Sequence, residues 1–198
     1  QACPSRRSTL RKKKKKDKDG NIIPDRTPKQ RKNNIKFTFA RYMFAFIREG
    51  FGDLPVWKIA AAQRGMTDDN LIHSTNYKYL DEKGEILDME GFQVSLGPLA
   101  LPINLRATRN STLVTITWDD SRDNPSAAPT DRMMVGIFYA NYRDTFTLEK
   151  ETGATRRDGK CEITLRNDDG EVCIHPFFAR ADNTAFSEDK TITLPDTE

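Results

Sequence analysis

The chain has 198 residues, 36% of them hydrophobic and 31% charged, with a formal net charge of +3. That length fits one good core plus an extension. No apolar stretch approaches the roughly 20 residues that span a bilayer, since the longest candidate, Phe37 to Ile47, is interrupted by Thr38 and Arg41. Three cysteines, Cys3, Cys161 and Cys173, lack the paired spacing of a disulfide scaffold or a zinc site.

The net charge conceals an uneven distribution. The first 32 residues carry thirteen Lys and Arg against three Asp, and the remaining 166 carry nineteen basic against twenty-six acidic residues. A basic arm at +10 therefore precedes an acidic body at −7. Residues 1–34 are predicted to be extended, because Pro4, Pro24 and Pro28 oppose a long helix and Asp17-Lys18-Asp19-Gly20-Asn21 carries turn chemistry. That string also has the alternating oxygen ligands of a calcium loop, but Pro24, Asp25 and Arg26 stand near the place where its closing acidic ligand belongs. A plain turn is the expectation. Arg11, Lys12, Lys13, Lys14, Lys15 and Lys16 are the arm's candidate partner-binding residues, for an acidic protein surface or for nucleic acid.

Residues 35–66 are predicted to form a helical hairpin. Phe37, Ala40, Phe44 and Ile47 mark one stripe of the first helix and Phe39, Met43 and Phe46 another. Gly50 suits a helix stop, and Asp53 with Pro55 suits the start of a second helix running to about Gln63. A helix apolar over more than half its circumference packs on more than one surface. Phe37, Phe39, Met43, Phe44 and Phe46 are accordingly candidate contacts for a neighbouring subunit, with the domain's own sheet as the competing cover.

Residues 67–198 are predicted to be β-rich, with no return of helix. Strands are expected at Lys78 to Leu80, Gly91 to Leu96, Asn104 to Arg109, Thr112 to Trp118, Arg132 to Tyr142, Thr145 to Lys150, Lys160 to Arg166, Glu171 to Ala181 and Asp189 to Leu194. Val114, Ile116 and Trp118 alternate with Leu113, Thr115 and Thr117, the pattern of a half-buried antiparallel strand. The fold class expected is mainly β, an antiparallel β-sandwich behind an extended basic arm and a short helical hairpin.

From Leu101 to Leu194 the chain resembles a fibronectin type III or related immunoglobulin-like domain. Pro102-Ile103-Asn104-Leu105 would open it, Val114 to Trp118 matches the second strand with its core tryptophan, and Val172 to Ala181 resembles the sixth. The region His175-Pro176-Phe177 stands in place of that strand's usual tyrosine, and Pro176 would weaken a central strand. Over nearly its whole length the chain also resembles a family of uncharacterised proteins from Bacteroidota. The matching residues are Thr27-Pro28-Lys29-Gln30, Lys36-Phe37, Gly50-Phe51 and the segment ending Leu101-Pro102. That family usually opens on a Gly-rich apolar segment, which would precede Gln1. The resemblance implies an architecture of basic arm, helices and β-rich half, and no biochemical activity.

Catalytic chemistry finds no foothold in the sequence. His73 and His175 are the only histidines, no nucleophile stands in a recognisable arrangement around either, and no glycine loop for phosphate occurs. Asp119-Asp120 and Asp168-Asp169 read as solvated turns rather than an acid–base pair. The expectation is a non-enzymatic structural protein without cofactor, metal or small-molecule substrate. It would self-assemble into a filament, tube or shell through its arm and apolar helix, at the cell surface, outside the cell or in a phage-like particle. The alternative is a binding module whose arm contacts nucleic acid or another anionic surface. The absence of aromatic residues before Phe37 argues against base stacking by the arm.

Overall fold

The computed structural model describes residues 18–19, 27–119, 126–167 and 169–196, without the side chains of 142–145. Arg11 and Lys12 to Lys16 lie outside the described residues, as do Asp17, Gly20 and Asn21 of the calcium-like string. Lys18 and Asp19 stand in a turn.

Helix α1 spans Pro28–Phe51 and so begins well before the predicted end of the extended arm at residue 34. The cause is local. Thr27 Oγ1 accepts from the Gln30 backbone N–H, Gln30 Oε1 accepts from the Thr27 N–H, and Pro28 occupies the first helical position, where its missing N–H costs nothing. Thr-Pro-x-Gln is thus a helix start, and Pro28 initiates the helix that it was expected to exclude. Helix α2 spans Val56–Ala62. A third helix, α3, covers Asp68–Asn76, in the region where the sequence predicts no return of helix. Thr67 caps it through the Asn70 N–H, and Asp68 and Asp69 place negative charge on its first turn. The predicted strand at Lys78 to Leu80 is instead a single 3₁₀ turn, Tyr77–Tyr79.

Among the described residues seven strands follow: β1 Ile103–Asn110, β2 Leu113–Asp119, β3 Arg132–Tyr139, β4 Tyr142–Glu149, β5 Lys160–Thr164, β6 Val172–Ala179 and β7 Ile192–Leu194. They form two antiparallel sheets, ordered β1-β2-β5 and β4-β3-β6-β7. One apolar cluster joins the sheets face to face, with Leu105, Val114, Ile116, Trp118 and Ile163 against Met133, Val135, Ile137, Ile174 and Phe178. The opposite face of the four-stranded sheet carries Met134, Phe138, Phe146, Cys173 and Phe177, which pack on Ala40, Phe44, Ile47, Phe51, Trp57, Ala60 and Ile72 of the three helices. The fold is therefore β-rich with a helical layer on one sheet. Strands β3 and β6 are buried on both faces.

Pro176 sits inside β6 without orphaning a ladder donor. Its carbonyl accepts from Lys190 N–H, so its nitrogen points toward that same side, beyond the end of the β6–β7 pairing at Ile174–Ile192. Its other flank pairs normally in register with Val135. The predicted strand at Gly91 to Leu96 does not form either. Asn76 instead brackets Gln93, donating to its carbonyl at 2.7 Å and accepting from its N–H at 2.9 Å, and Asp189 accepts from Val94 and Ser95. Side chains satisfy the backbone that a neighbouring strand would have satisfied.

Candidate functional site

Helix α1 presents two apolar stripes. Ala40, Phe44, Ile47 and Phe51 are buried against the other helices and the sheet. A second stripe, Ile35, Phe39, Tyr42 and Phe46, lies beside it; its first three residues are exposed, whereas Phe46 is half-buried and packs on the edge of the core. Ile35 is 51% exposed, Phe39 46% and Tyr42 69%, and nearby Leu87 is 70% exposed. Exposed apolar side chains scattered singly are ordinary, whereas a contiguous row beside a groove marks an interaction surface.

The groove runs between α1 and the 83–89 segment and is floored by the end of the four-stranded sheet. It encloses about 860 Å³ and is lined by Phe39, Tyr42, Met43, Phe46, Leu87 and Met89, with Phe138 and Cys173 at its floor. Phe39 is pressed against the backbone of Gly84, where a Cβ would lie 2.4 Å from the phenylalanine Cβ. Gly84 also has φ +80°, so both the space and the backbone at this rim require glycine. The two elements that wall the groove differ in charge. Lys29, Arg31, Lys32, Lys36 and Arg41 stand on α1, and the segment opposite holds Asp81, Glu82, Glu85, Asp88 and Glu90 against Lys83. Lys32 reaches Glu82 at 3.1 Å, and both side chains are about two-thirds exposed.

Of the five helix residues that the sequence singled out, Phe39, Met43 and Phe46 come together along this groove. Phe37 faces another way, 4.9 Å from the ring of His73. Phe44 is corrected. At 2% exposure it belongs to the core and offers no contact surface, because its stripe is the one that the domain's own helices and sheet cover. Ile35, Tyr42 and Leu87 were not singled out. The spacing of Ile35, Phe39, Tyr42 and Phe46 at intervals of four, three and four was nevertheless readable.

The two histidines occupy different settings. His73, on α3, stacks on Tyr77 at 4.4 Å between ring centroids, with the Lys36 ammonium 4.4 Å from the other partner's ring centre. Burial, and secondarily the charge of Lys36, hold its imidazole below the ordinary histidine pKa. His175 Nδ1 lies 2.7 Å from Asp189 Oδ2, a geometry that superficially suggests a catalytic pair. Its Nε2, the atom that would serve a nucleophile, is buried without a hydrogen-bond partner. Ser95 and Ser187 direct their hydroxyls to the carbonyls of Ser187 and Glu188. The pair thus fastens the segment before β7 to β6 and to residues 94–95.

A second buried ionic group lies on the far side of the four-stranded sheet. Arg156 Nε is 3.4 Å from Asp131 Oδ2, the guanidinium sits 4.1 Å above the Phe178 ring, and its Nη2 donates to the Ala100 carbonyl at 2.8 Å. The group ties Asp131, Arg156 and the Ala100 carbonyl to one another. Cys161 and Cys173 are buried free thiols in different sheets, and burial pushes both thiol pKa values up. Among the described residues, no group of three or more His, Cys, Asp or Glu stands where it would hold a metal ion, and no helix is long and apolar enough to cross a membrane.

Comparison with known proteins gives no matching family model and no matching curated protein.

Proposed function

We propose that this chain is a non-enzymatic structural protein that self-associates through α1, with the basic arm adding a further contact to acidic surface on another copy. The observation that carries this reading is the exposed row Ile35, Phe39 and Tyr42, continued by half-buried Phe46, beside an apolar groove. Large side chains left in water along one helix face gain roughly 1.5–3 kcal/mol each on full burial. The arm's excess of +10 against −7 on the rest of the chain supports the second contact. Assembly into a filament, tube or shell follows if the two contacts are not related by a closing rotation.

The strand order supports the fibronectin type III-like reading of the β half. The chain crosses from β2 in one sheet to β3 in the other, returns at β5 and crosses again at β6, as immunoglobulin-like sandwiches do. Trp118 fills the space between the sheets, 5.6 Å from Phe178. The capping box gives a physical role to Thr-Pro-x-Gln, the first motif of the Bacteroidota resemblance. The test is light scattering coupled to size-exclusion chromatography, on the full chain and on a version lacking residues 1–26, which retains the Thr27 cap. The full chain is expected to be oligomeric and the shortened one to form smaller species. A strictly monomeric full chain at high concentration overturns the proposal.

A further inference from the structure

We infer that the uncovered face of α1 is closed by the α1 of a second copy lying antiparallel across it. This rests on the reading that the protein self-associates through α1, and it specifies the partner surface and its direction. Ile35, Phe39, Tyr42 and Phe46 follow one another at intervals of four, three and four, the alternation of a and d positions along a two-helix seam. The fully buried stripe of α1 is a separate row, and within the seam Ile35 and Tyr42 are more than half exposed while Phe46 also packs on the core.

Direction follows from charge. Extending the seam by one heptad from Phe39 reaches Lys32, and from Tyr42 reaches Glu49, which is exposed. A two-fold axis midway between Phe39 and Tyr42 pairs each with the other across the interface and pairs Ile35 with Phe46. It also sets Lys32 against the second copy's Glu49 at both ends. The parallel alternative stacks Lys32 on Lys32 and Glu49 on Glu49, and lays the basic first turns, with Lys29 and Arg31, side by side. Antiparallel packing removes that repulsion and opposes the helix dipoles favourably. The intrachain bond from Lys32 to Glu82 does not stand in the way, because an exposed pair of this kind is worth about 0–1 kcal/mol.

Disulfide trapping tests both partner and direction. In a Cys3→Ser background, Lys32→Cys and Glu49→Cys are prepared as separate proteins, then oxidised alone and as an equal mixture. The two positions are about 26 Å apart along one helix, so no bridge forms within a chain. The expected result is a covalent dimer in the mixture and little from either protein alone. Dimer from either protein alone, at the yield of the mixture, overturns the antiparallel arrangement. Independently, Ile35→Glu and Tyr42→Glu, at positions 51% and 69% exposed, are each expected to weaken association more than about tenfold. If the wild-type chain is oligomeric, but the mixture does not cross-link and both substitutions are silent, this inference fails while self-association stands. A monomeric wild type removes both. Loss of binding to anionic phospholipid vesicles on Tyr42→Glu, without any cross-link, overturns the inference in favour of a lipid surface.

Discussion

Asp189 shows how much of this molecule hangs on single polar side chains. One carboxylate oxygen accepts from the Val94 and Ser95 backbone N–H groups at 2.9 and 2.8 Å, and the other meets His175 Nδ1 at 2.7 Å. All three bonds are buried. Asp189→Ala would leave the Val94 and Ser95 N–H groups unpaired at about 1–3 kcal/mol each and His175 Nδ1 with only Thr191 Oγ1 at 3.4 Å, so a loss of at least ~2 kcal/mol is expected in urea unfolding. A loss below ~1 kcal/mol would show that water replaces the carboxylate. His73 makes a different prediction, through its lowered pKa. As pH falls below the ordinary histidine value of about 6.5, the unfolded chain takes up a proton before the folded one. The contribution of this group to stability is therefore present above pH ~6.5 and lost as pH falls toward its folded pKa. His73→Gln should flatten the decline in stability between pH 8 and 5 relative to wild type, and parallel profiles would contradict the sign.

At the scale of elements, helix starts and strand neighbours decided what the sequence disclosed. The start of α1 depends on Thr27 and Gln30 satisfying each other's backbone N–H groups. Thr27→Ala should cost about 1 kcal/mol and fray the first turn, visible as faster amide exchange at residues 30–32 with unchanged exchange in β3. Unchanged exchange at the helix start would mean that Pro28 alone fixes it. The prolines here were read as breakers, although Pro28 follows a capping threonine and precedes Gln30 by two residues, which was the legible signal. Helix α3 was hidden for a related reason. Thr67-Asp68-Asp69-Asn70 has loop composition, and only the short apolar pair Leu71 and Ile72 marks its buried side. The strands of both sheets were found because each alternates or stays apolar between clear turns. The segment 91–96 was misread because its backbone is bonded by Asn76 and Asp189, residues 17 and about 95 positions away in sequence. Half of the candidate surface was likewise in view, as Phe39, Met43 and Phe46. The separation of Phe44 from them needed the core direction of α1, which only the packed sheet supplies.

The whole molecule is bound together by β3 and β6, whose two faces belong to two different apolar clusters. Their near-continuous apolar runs, Met133 to Tyr139 and Val172 to Ala179, already carry the mark of strands covered on both sides. The helical layer and the sandwich thus share strands, and the two clusters predict one cooperative unit. Separating them would expose Met134, Phe138, Phe146 and Phe177 to water on one side and Phe44, Ile47 and Phe51 on the other. The two tryptophans make this measurable, because Trp57 lies in the helical layer and Trp118 between the sheets, both buried. Trp118→Phe leaves fluorescence reporting the helices alone, and Trp57→Phe leaves it reporting the sandwich alone. Each substitution lowers stability somewhat, so each unfolding curve is compared with far-ultraviolet circular dichroism of the same variant. One cooperative unit requires the two probes to give the same urea midpoint within each variant. A Trp57 signal that is lost at lower urea than the circular dichroism change would mean that the helices detach while the sandwich persists. The shared clusters predict coincidence, since a detached helical layer would leave the four-stranded sheet with a fully exposed aromatic face.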